Sequence, residues 1–411
     1  MNEEKLKAVK RVQTLKDLKQ INFLYYMGLH EGKKNGVPIV YTNALGPIEL
    51  IYGMDMLPVY PENHSVAIQA KHMALDTQEA AEAFGYTPDI CSYIRSDLGY
   101  VHSGKSPIGG MPAPDLVVYA SCQCYAIGKW FEELARYYRV PFFVLDVPSQ
   151  GRGFNTPAEP ASKEYVKSQV KECIAWLEKH GGHPMDPEKL RNTVSLSRKA
   201  SQLWLMILEY GKHVPAPYTL FDQYMAMAPI VDQRGREVTV NFYEKLIVEL
   251  EERVQQNIGG IPDERYRLYW DGLPIWHNVG DFYMMLLERD INLVANNYTR
   301  VWAQLSVTPE DIIEDYARNM LKNFDPVIQD RAFDIAETIK NFKLDGYILH
   351  SDHSCRFLSL GLMDTLTEVS RISGVPGLLL DNDHGDPRLY QPEQTKTRID
   401  AYLEMLDKSK A

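Results

Sequence analysis

Two short stretches of the N-terminal half are apolar without a break, Leu116-Val-Val-Tyr-Ala and, after Pro141, Phe-Phe-Val-Leu. Continuous apolar runs of this length suit strands of a parallel sheet covered on both faces. Between them, Tyr125–Tyr137 carries apolar residues at helical spacing. Strand Leu116–Ala120, this helix and strand Pro141–Val147 therefore predict a β–α–β unit. Upstream, Val37–Tyr41 and Leu57–Tyr60 read as strands, and Ile48–Met54, Asp76–Phe84 and Cys91–Leu98 as helices. Asp76 with Glu79 three residues on predicts a capped helix start. A Gly/Pro-dense loop is expected at Ser103–Pro114 and a Gly-rich loop at Ser149–Phe154.

The pattern changes to mostly helical from Pro187 to about Gln256, and Gly259-Gly-Ile-Pro marks a boundary. Strands are then expected at Tyr266–Trp270, Ile291–Ala295, Tyr347–Leu349 and Gly377–Leu380. Helices are expected near Gly280–Leu287, Pro309–Lys322, Arg331–Phe342, Phe357–Ser373 and Gln394–Leu406. Strand–helix alternation on both sides predicts an α/β protein with two doubly wound parallel-sheet (Rossmann- or flavodoxin-like) domains. The expected division is an N-terminal domain over 1–186, a helical segment over 187–260 and a C-terminal domain over 261–411.

Composition narrows the function. A net charge of -11 argues against a nucleic-acid binder. No apolar run approaches the ~20 residues of a membrane helix, and the first residues show no apolar signal region. A cytoplasmic protein is expected. The five cysteines, Cys91, Cys122, Cys124, Cys173 and Cys355, are too few and too scattered for a disulfide framework. Cys173 falls on the apolar stripe of a helix and reads as core.

The others stand at ends of elements. Cys122 and Cys124 follow the strand ending at Ala120, Cys355 follows the strand near Leu349, and Cys91 sits where a polar turn enters a helix. Ligands of open α/β sheets bind at such strand ends. If the two sheet edges face each other, three thiolates meet in a cleft, enough to hold a [4Fe–4S] cube with one iron open. The alternatives are buried free thiols, or a mononuclear metal on His350, His353 and Cys355 with Asp352. Those histidines otherwise hydrogen-bond a nearby loop. Asp381-Asn-Asp-His-Gly-Asp lacks the spacing of a calcium loop and is expected to line the same cleft.

Gly99-Tyr-Val-His-Ser-Gly-Lys-Ser matches the phosphate-binding loop pattern. That loop needs a strand before it and a helix after it. Here a helix precedes and Pro107, Pro112 and Pro114 follow, so nucleotide binding is not expected. Glu62 and His64, after a strand, are candidates for proton transfer. A helix cap at Asn63 or Ser65 is the competing reading. Tyr298 and Trp302, with Trp270 and Trp276, are candidates for an apolar pocket or for core.

Several blocks in one order resemble the benzoyl-CoA reductase and 2-hydroxyacyl-CoA dehydratase family. They are Tyr60-Pro-Glu-Asn, Asp89-Ile-Cys-Ser-Tyr, Met111-Pro-Ala-Pro-Asp, the Cys124 segment into Lys129-Trp-Phe-Glu, Tyr266-Arg-Leu-Tyr-Trp-Asp-Gly, Ser354-Cys355 and Asp386-Pro-Arg. The resemblance covers nearly the whole chain. It implies a [4Fe–4S] cluster between two α/β domains, on Cys91, Cys124 and Cys355, with Cys122 not a ligand. It also implies a heterodimer with a homologous cluster subunit, a separate ATP-dependent iron–sulfur activator, and an acyl-CoA or aryl-CoA substrate.

Two activities compete. The reductases reduce the aromatic ring of an aryl-CoA to a cyclic diene, and the dehydratases use a recycled electron to expel a 2-hydroxyl. Lys129-Trp-Phe-Glu-Glu-Leu and Pro148-Ser-Gln-Gly-Arg-Gly resemble the reductase cluster subunit. Ala44 stands near where dehydratase subunits often carry a serine. Benzoyl-CoA reduction is therefore the expected activity and 2-hydroxyacyl-CoA dehydration the alternative. A cluster-bearing electron-transfer or scaffold subunit without its own pocket is the reading from another class.

Overall fold

The computed structural model describes residues 3–148, 159–305, 311–321 and 327–410. Eight strands form two four-stranded sheets. The first holds β1 (Ile39–Thr42), β2 (Leu57–Val59), β3 (Leu116–Ala120) and β4 (Phe142–Leu145). The second holds β5 (Tyr266–Asp271), β6 (Ile291–Asn296), β7 (Gly346–Asp352) and β8 (Gly377–Asn382). All pairings are parallel. The orders are β2-β1-β3-β4 and β6-β5-β7-β8, so the halves repeat one topology. In each sheet the winding reverses between the first and third strand, which opens a crevice beyond their carboxyl ends.

The strands β1, β3, β5 and β6 are buried along their whole length, although β5 carries Arg267 and Asp271 and β6 carries Asn292 and Asn296; β4, the second unbroken apolar run, is instead an edge strand with Val144 exposed. The helices Pro187–Glu209 and Glu237–Gln255 lie between the sheets in sequence. One apolar core continues from Val117 through Trp204 of the first of these helices to Trp270. Trp204 is fully buried and its indole N–H donates to the Thr299 carbonyl at 2.8 Å. Ionic contacts also tie the halves together. Buried Arg95 meets Glu82 at 2.8 Å and Asp386 at 2.9 Å, and Arg388 bonds the same two carboxylates.

Most expected elements are present within a few residues of their expected bounds. Three differences have physical reasons. The helix expected from Asp76 starts at Ala74, with Met73 before it and no side-chain cap, so Asp76 lies in the first turn. The helix expected over Phe357–Ser373 is two, Arg356–Ser359 and Leu362–Ser373, broken where Gly361 takes φ +81°. Helix Ser92–Ser103 runs through the phosphate-loop look-alike. A Cβ on Gly99 would stand 1.7 Å from the Thr77 carbonyl oxygen, so this glycine serves a close helix–helix contact. Gly104 ends the helix in the left-handed conformation. Both glycines are accounted for without a phosphate. The Gly-rich loop Ser149–Phe154 lies outside the described residues. Among the described residues, no helix is long and apolar enough to cross a membrane.

Candidate active site

One cavity lies at the carboxyl ends of both sheets and encloses about 710 Å³, its open mouth included. Equivalent loops of the two halves build it. Ala44 follows β1 and Leu273 follows β5. Glu62 follows β2 and Tyr298 follows β6. Cys124 follows β3 and Cys355 follows β7. Cys91 joins them from the start of helix Ser92–Ser103.

Cys91, Cys124 and Cys355 each occupy the residue just before a helix. Helix starts carry unpaired N–H groups and partial positive charge, which favour anionic sulfur. Ile127 and Ala126 N–H groups face Cys124, and the Leu358 N–H faces Cys355. Burial nevertheless pushes the Cys124 thiol up to about 12, with Cys91 adding to the rise. Cys355 is pushed well above its ordinary value by burial, then by Asp352, Cys91 and Cys124. Cys91 thus works with burial against ionisation of both Cys124 and Cys355, and three soft sulfur donors share one cavity wall. Their chemistry fits a thiolate-held metal group.

Two cysteines stand apart. Cys122 is buried, faces the Leu45 carbonyl oxygen at 3.5 Å and is absent from the cavity wall. Cys173 is core.

Behind Cys91 lies a buried polar brace. His384 Nε2 is 3.9 Å from Cys91 Sγ, and its Nδ1 is 2.8 Å from Asp352. Burial opposes the charge on His384, and the Asp352 carboxylate outweighs it, so its pKa stands well above the ordinary value. Burial likewise works against ionised Asp383. The His384 charge and donors from Ser92, Ser354 and Gly385 hold it below the usual carboxylate range. Asp352, Asp383 and His384 are close enough to share a metal ion. Their facing atoms are already spent: Asp352 on His384, and Asp383 on Ser92, Ser354, Gly385 and Asp386. The group reads as a brace that fixes two cysteine-bearing turns. The loop after β8 therefore backs the cavity and does not line it as the sequence suggests.

Glu62 projects into the cavity. Its oxygens accept from the Ala44 N–H at 2.6 Å and from Gln123 Nε2 at 3.0 Å. Burial pushes the carboxyl up to about 7 against those two bonds. The capping alternative fails here. The helix starts at Pro61 without a side-chain cap, and Ser65 donates to the Tyr93 carbonyl.

His64 goes elsewhere. Two residues along a helix are about 200° apart around its axis. His64 accordingly meets Ser106 at 2.9 Å and Asp97 at 3.7 Å, and is not on the cavity wall. His350 bonds the Leu273 carbonyl at 2.7 Å, and half-exposed His353 faces Asp381. The mononuclear site on these two histidines is not assembled.

Tyr298 and Trp302 line the cavity edge to face, with centroids 5.7 Å apart. The Trp302 indole N–H is buried with no hydrogen-bond partner among the described residues. Trp270 and Trp276 belong to the core, and the Trp276 N–H donates to the Tyr93 hydroxyl. Sequence reasoning missed Gln123 and the bracing role of Asp352, Asp383 and His384, although it placed the loop carrying the last two at the same sheet edge as Cys355.

The family model described as 2-hydroxyglutaryl-CoA dehydratase, D-component, matches residues 44–406. The chain is 29% identical over 392 residues to the (R)-2-hydroxyisocaproyl-CoA dehydratase alpha subunit of Clostridioides difficile, covering 94% of each chain. It is 28% identical to the lactoyl-CoA dehydratase subunit alpha of Anaerotignum propionicum, covering 93% of each. A benzoyl-CoA reductase subunit of Thauera aromatica is 27% identical, with 92% of this chain and 91% of the relative covered. These findings shift the balance from the reductase expected on Lys129-Trp-Phe-Glu and Pro148-Ser-Gln-Gly to the dehydratase alternative. The chain belongs to this family of enzymes acting on CoA thioesters.

Proposed function

We propose that the chain is an alpha-type subunit of a 2-hydroxyacyl-CoA dehydratase. In this reading Cys91, Cys124 and Cys355 hold a [4Fe–4S] cluster, a related second subunit completes the enzyme, and a separate ATP-hydrolysing activator delivers electrons. The observation that carries it is one cavity shared by three thiols and a buried carboxyl, Glu62, whose burial pushes it up to about 7.

When bound, the cluster would supply one-electron reduction at the thioester carbonyl. The remaining chemistry falls to this chain. Losing water removes the hydroxyl from carbon 2 and a proton from carbon 3. Ionised Glu62 takes that proton, and protonated Glu62 gives one to the departing hydroxyl. Its pKa near neutrality suits both tasks. No proton is consumed overall, so one buried carboxyl is enough. Ring reduction would instead draw two protons per turnover through a wall whose one carboxyl, among the described residues, is Glu62. Ala44 offers no hydroxyl, and its N–H is held by Glu62, which leaves Glu62 to meet the substrate hydroxyl. The cavity beside the cysteines also weighs against a scaffold with no pocket.

The test gives anaerobic holoenzyme its activator, ATP and reductant with either a 2-hydroxyacyl-CoA or benzoyl-CoA. The expected product is the 2-enoyl-CoA from the first and none from the second. A cyclic diene from benzoyl-CoA would overturn the reading.

A further inference from the structure

The cavity wall is lopsided in charge. Among its described residues there is no lysine, arginine or histidine, and apart from the thiols and tyrosines its one ionisable side chain is the carboxyl of Glu62. The rest of the wall includes Val66, Leu273, Phe357 and Leu358 and the edge-to-face Tyr298–Trp302 pair, with two neutral amides, Asn63 and Gln123, the latter donating to Glu62. Neither Arg95 nor Arg234 is on that wall: Arg95 is held by Glu82 and Asp386, and Arg234 by Glu49, with its Nη1 unpartnered among the described residues.

A second carboxylate on the acyl chain would enter this space without a cationic partner and beside an acidic one. Burying an unpaired carboxylate is among the costliest single changes in a binding site. A branched or aromatic hydrocarbon would instead replace water against the same walls. Trp302 and Asn63 offer neutral N–H donors, enough for an uncharged oxygen, but a neutral donor carries no charge to balance a carboxylate.

We infer that the substrate's acyl group is uncharged and apolar beyond carbon 2, so that dicarboxylic thioesters such as 2-hydroxyglutaryl-CoA are rejected. This deepens the dehydratase reading and rests on it for the identity of the site.

The test separates the two. Without activator, holoenzyme is titrated calorimetrically with 4-methylpentanoyl-CoA and with glutaryl-CoA, which share the CoA moiety and lack the hydroxyl. The expected preference for 4-methylpentanoyl-CoA is about 100-fold in Kd. Val66→Lys, which adds a cation at the wall, should narrow that gap at least tenfold. Equal affinity, or tighter glutaryl-CoA binding, overturns the inference whatever the enzyme turns over. Turnover of 2-hydroxy-4-methylpentanoyl-CoA and 2-hydroxyglutaryl-CoA is measured alongside with activator present. If neither reacts but the binding preference stands, the dehydratase reading fails and the apolar specificity survives.

Discussion

The two halves place their first three strand-end loops around the same cavity and use them differently. After the first strand stands Ala44 in one half and Leu273 in the other. After the second come Glu62 and Tyr298, and after the third Cys124 and Cys355. Only the cysteine position is the same in both. The N-terminal half carries the acid and the additional thiol of Cys91, whereas the C-terminal half carries the Tyr298–Trp302 pair; both halves add aromatic rings to the wall. The loop after β8 reaches back to brace Cys91 from behind. A shared topology thus fixes where chemistry sits, and individual loop residues decide which chemistry it is.

The strongest challenge to this comparison is to treat its common position as equivalent. Cys124→Ser and Cys355→Ser should lose turnover alike, by about a thousandfold or more, since each removes one of three sulfurs from a metal group. Loss in one variant and retention in the other, in the activator-coupled assay, would break the equivalence.

Next comes the position where the halves differ most. Glu62→Gln keeps a polar side chain of the same shape and removes the proton. Turnover should fall about 10²- to 10³-fold, and the limb of the kcat–pH profile near pH 7 should vanish. The same group sets a stability trend. Folded Glu62 keeps its proton up to about pH 7, while its ordinary value is 4.5. The native state therefore binds more protons across that interval, and stability falls as pH rises through it, by on the order of 3 kcal/mol. Asp232, also pushed up to about 7 by burial, contributes a slope of the same sign. Denaturant melts of the apoprotein at pH 5 and pH 8 should show the fall, and a smaller one in Glu62→Gln.

Trp302→Phe is a milder probe of the aromatic wall. It keeps a ring and deletes an N–H that has no partner among the described residues. KM should rise about tenfold with little change in Tm. An unchanged KM would remove that N–H from substrate binding. The smallest effect belongs to Cys122→Ala. Its thiol is buried away from the cavity, so the expected cost is about 1 kcal/mol of stability with cluster content unchanged.

Much of this was legible in the sequence because it depends on local pattern. Continuous apolar runs marked β3 and β4, and Cys122, Cys124 and Cys355 could be placed after strands, with Cys91 at a helix entry. What escaped depends on direction or on closure through space. Glu62 and His64 are neighbours in sequence, yet the helix that starts at Pro61 sends one to the cavity and the other to Ser106. Asp76 has the composition of a cap, but the helix had already begun at Ala74. The Asp352–His384–Cys91 brace joins residues 293 positions apart at its widest, and no local spacing encodes it.

Iron and acid-labile sulfide, measured per chain on anaerobically purified holoenzyme beside its Cys355→Ala and Cys122→Ala variants, test most directly whether both halves hold one cluster. The wild type and Cys122→Ala should each carry about four irons and four sulfides in this chain, and Cys355→Ala should lose them. Full iron and sulfide in Cys355→Ala, or their loss in Cys122→Ala alone, would contradict a cluster shared between the two sheets.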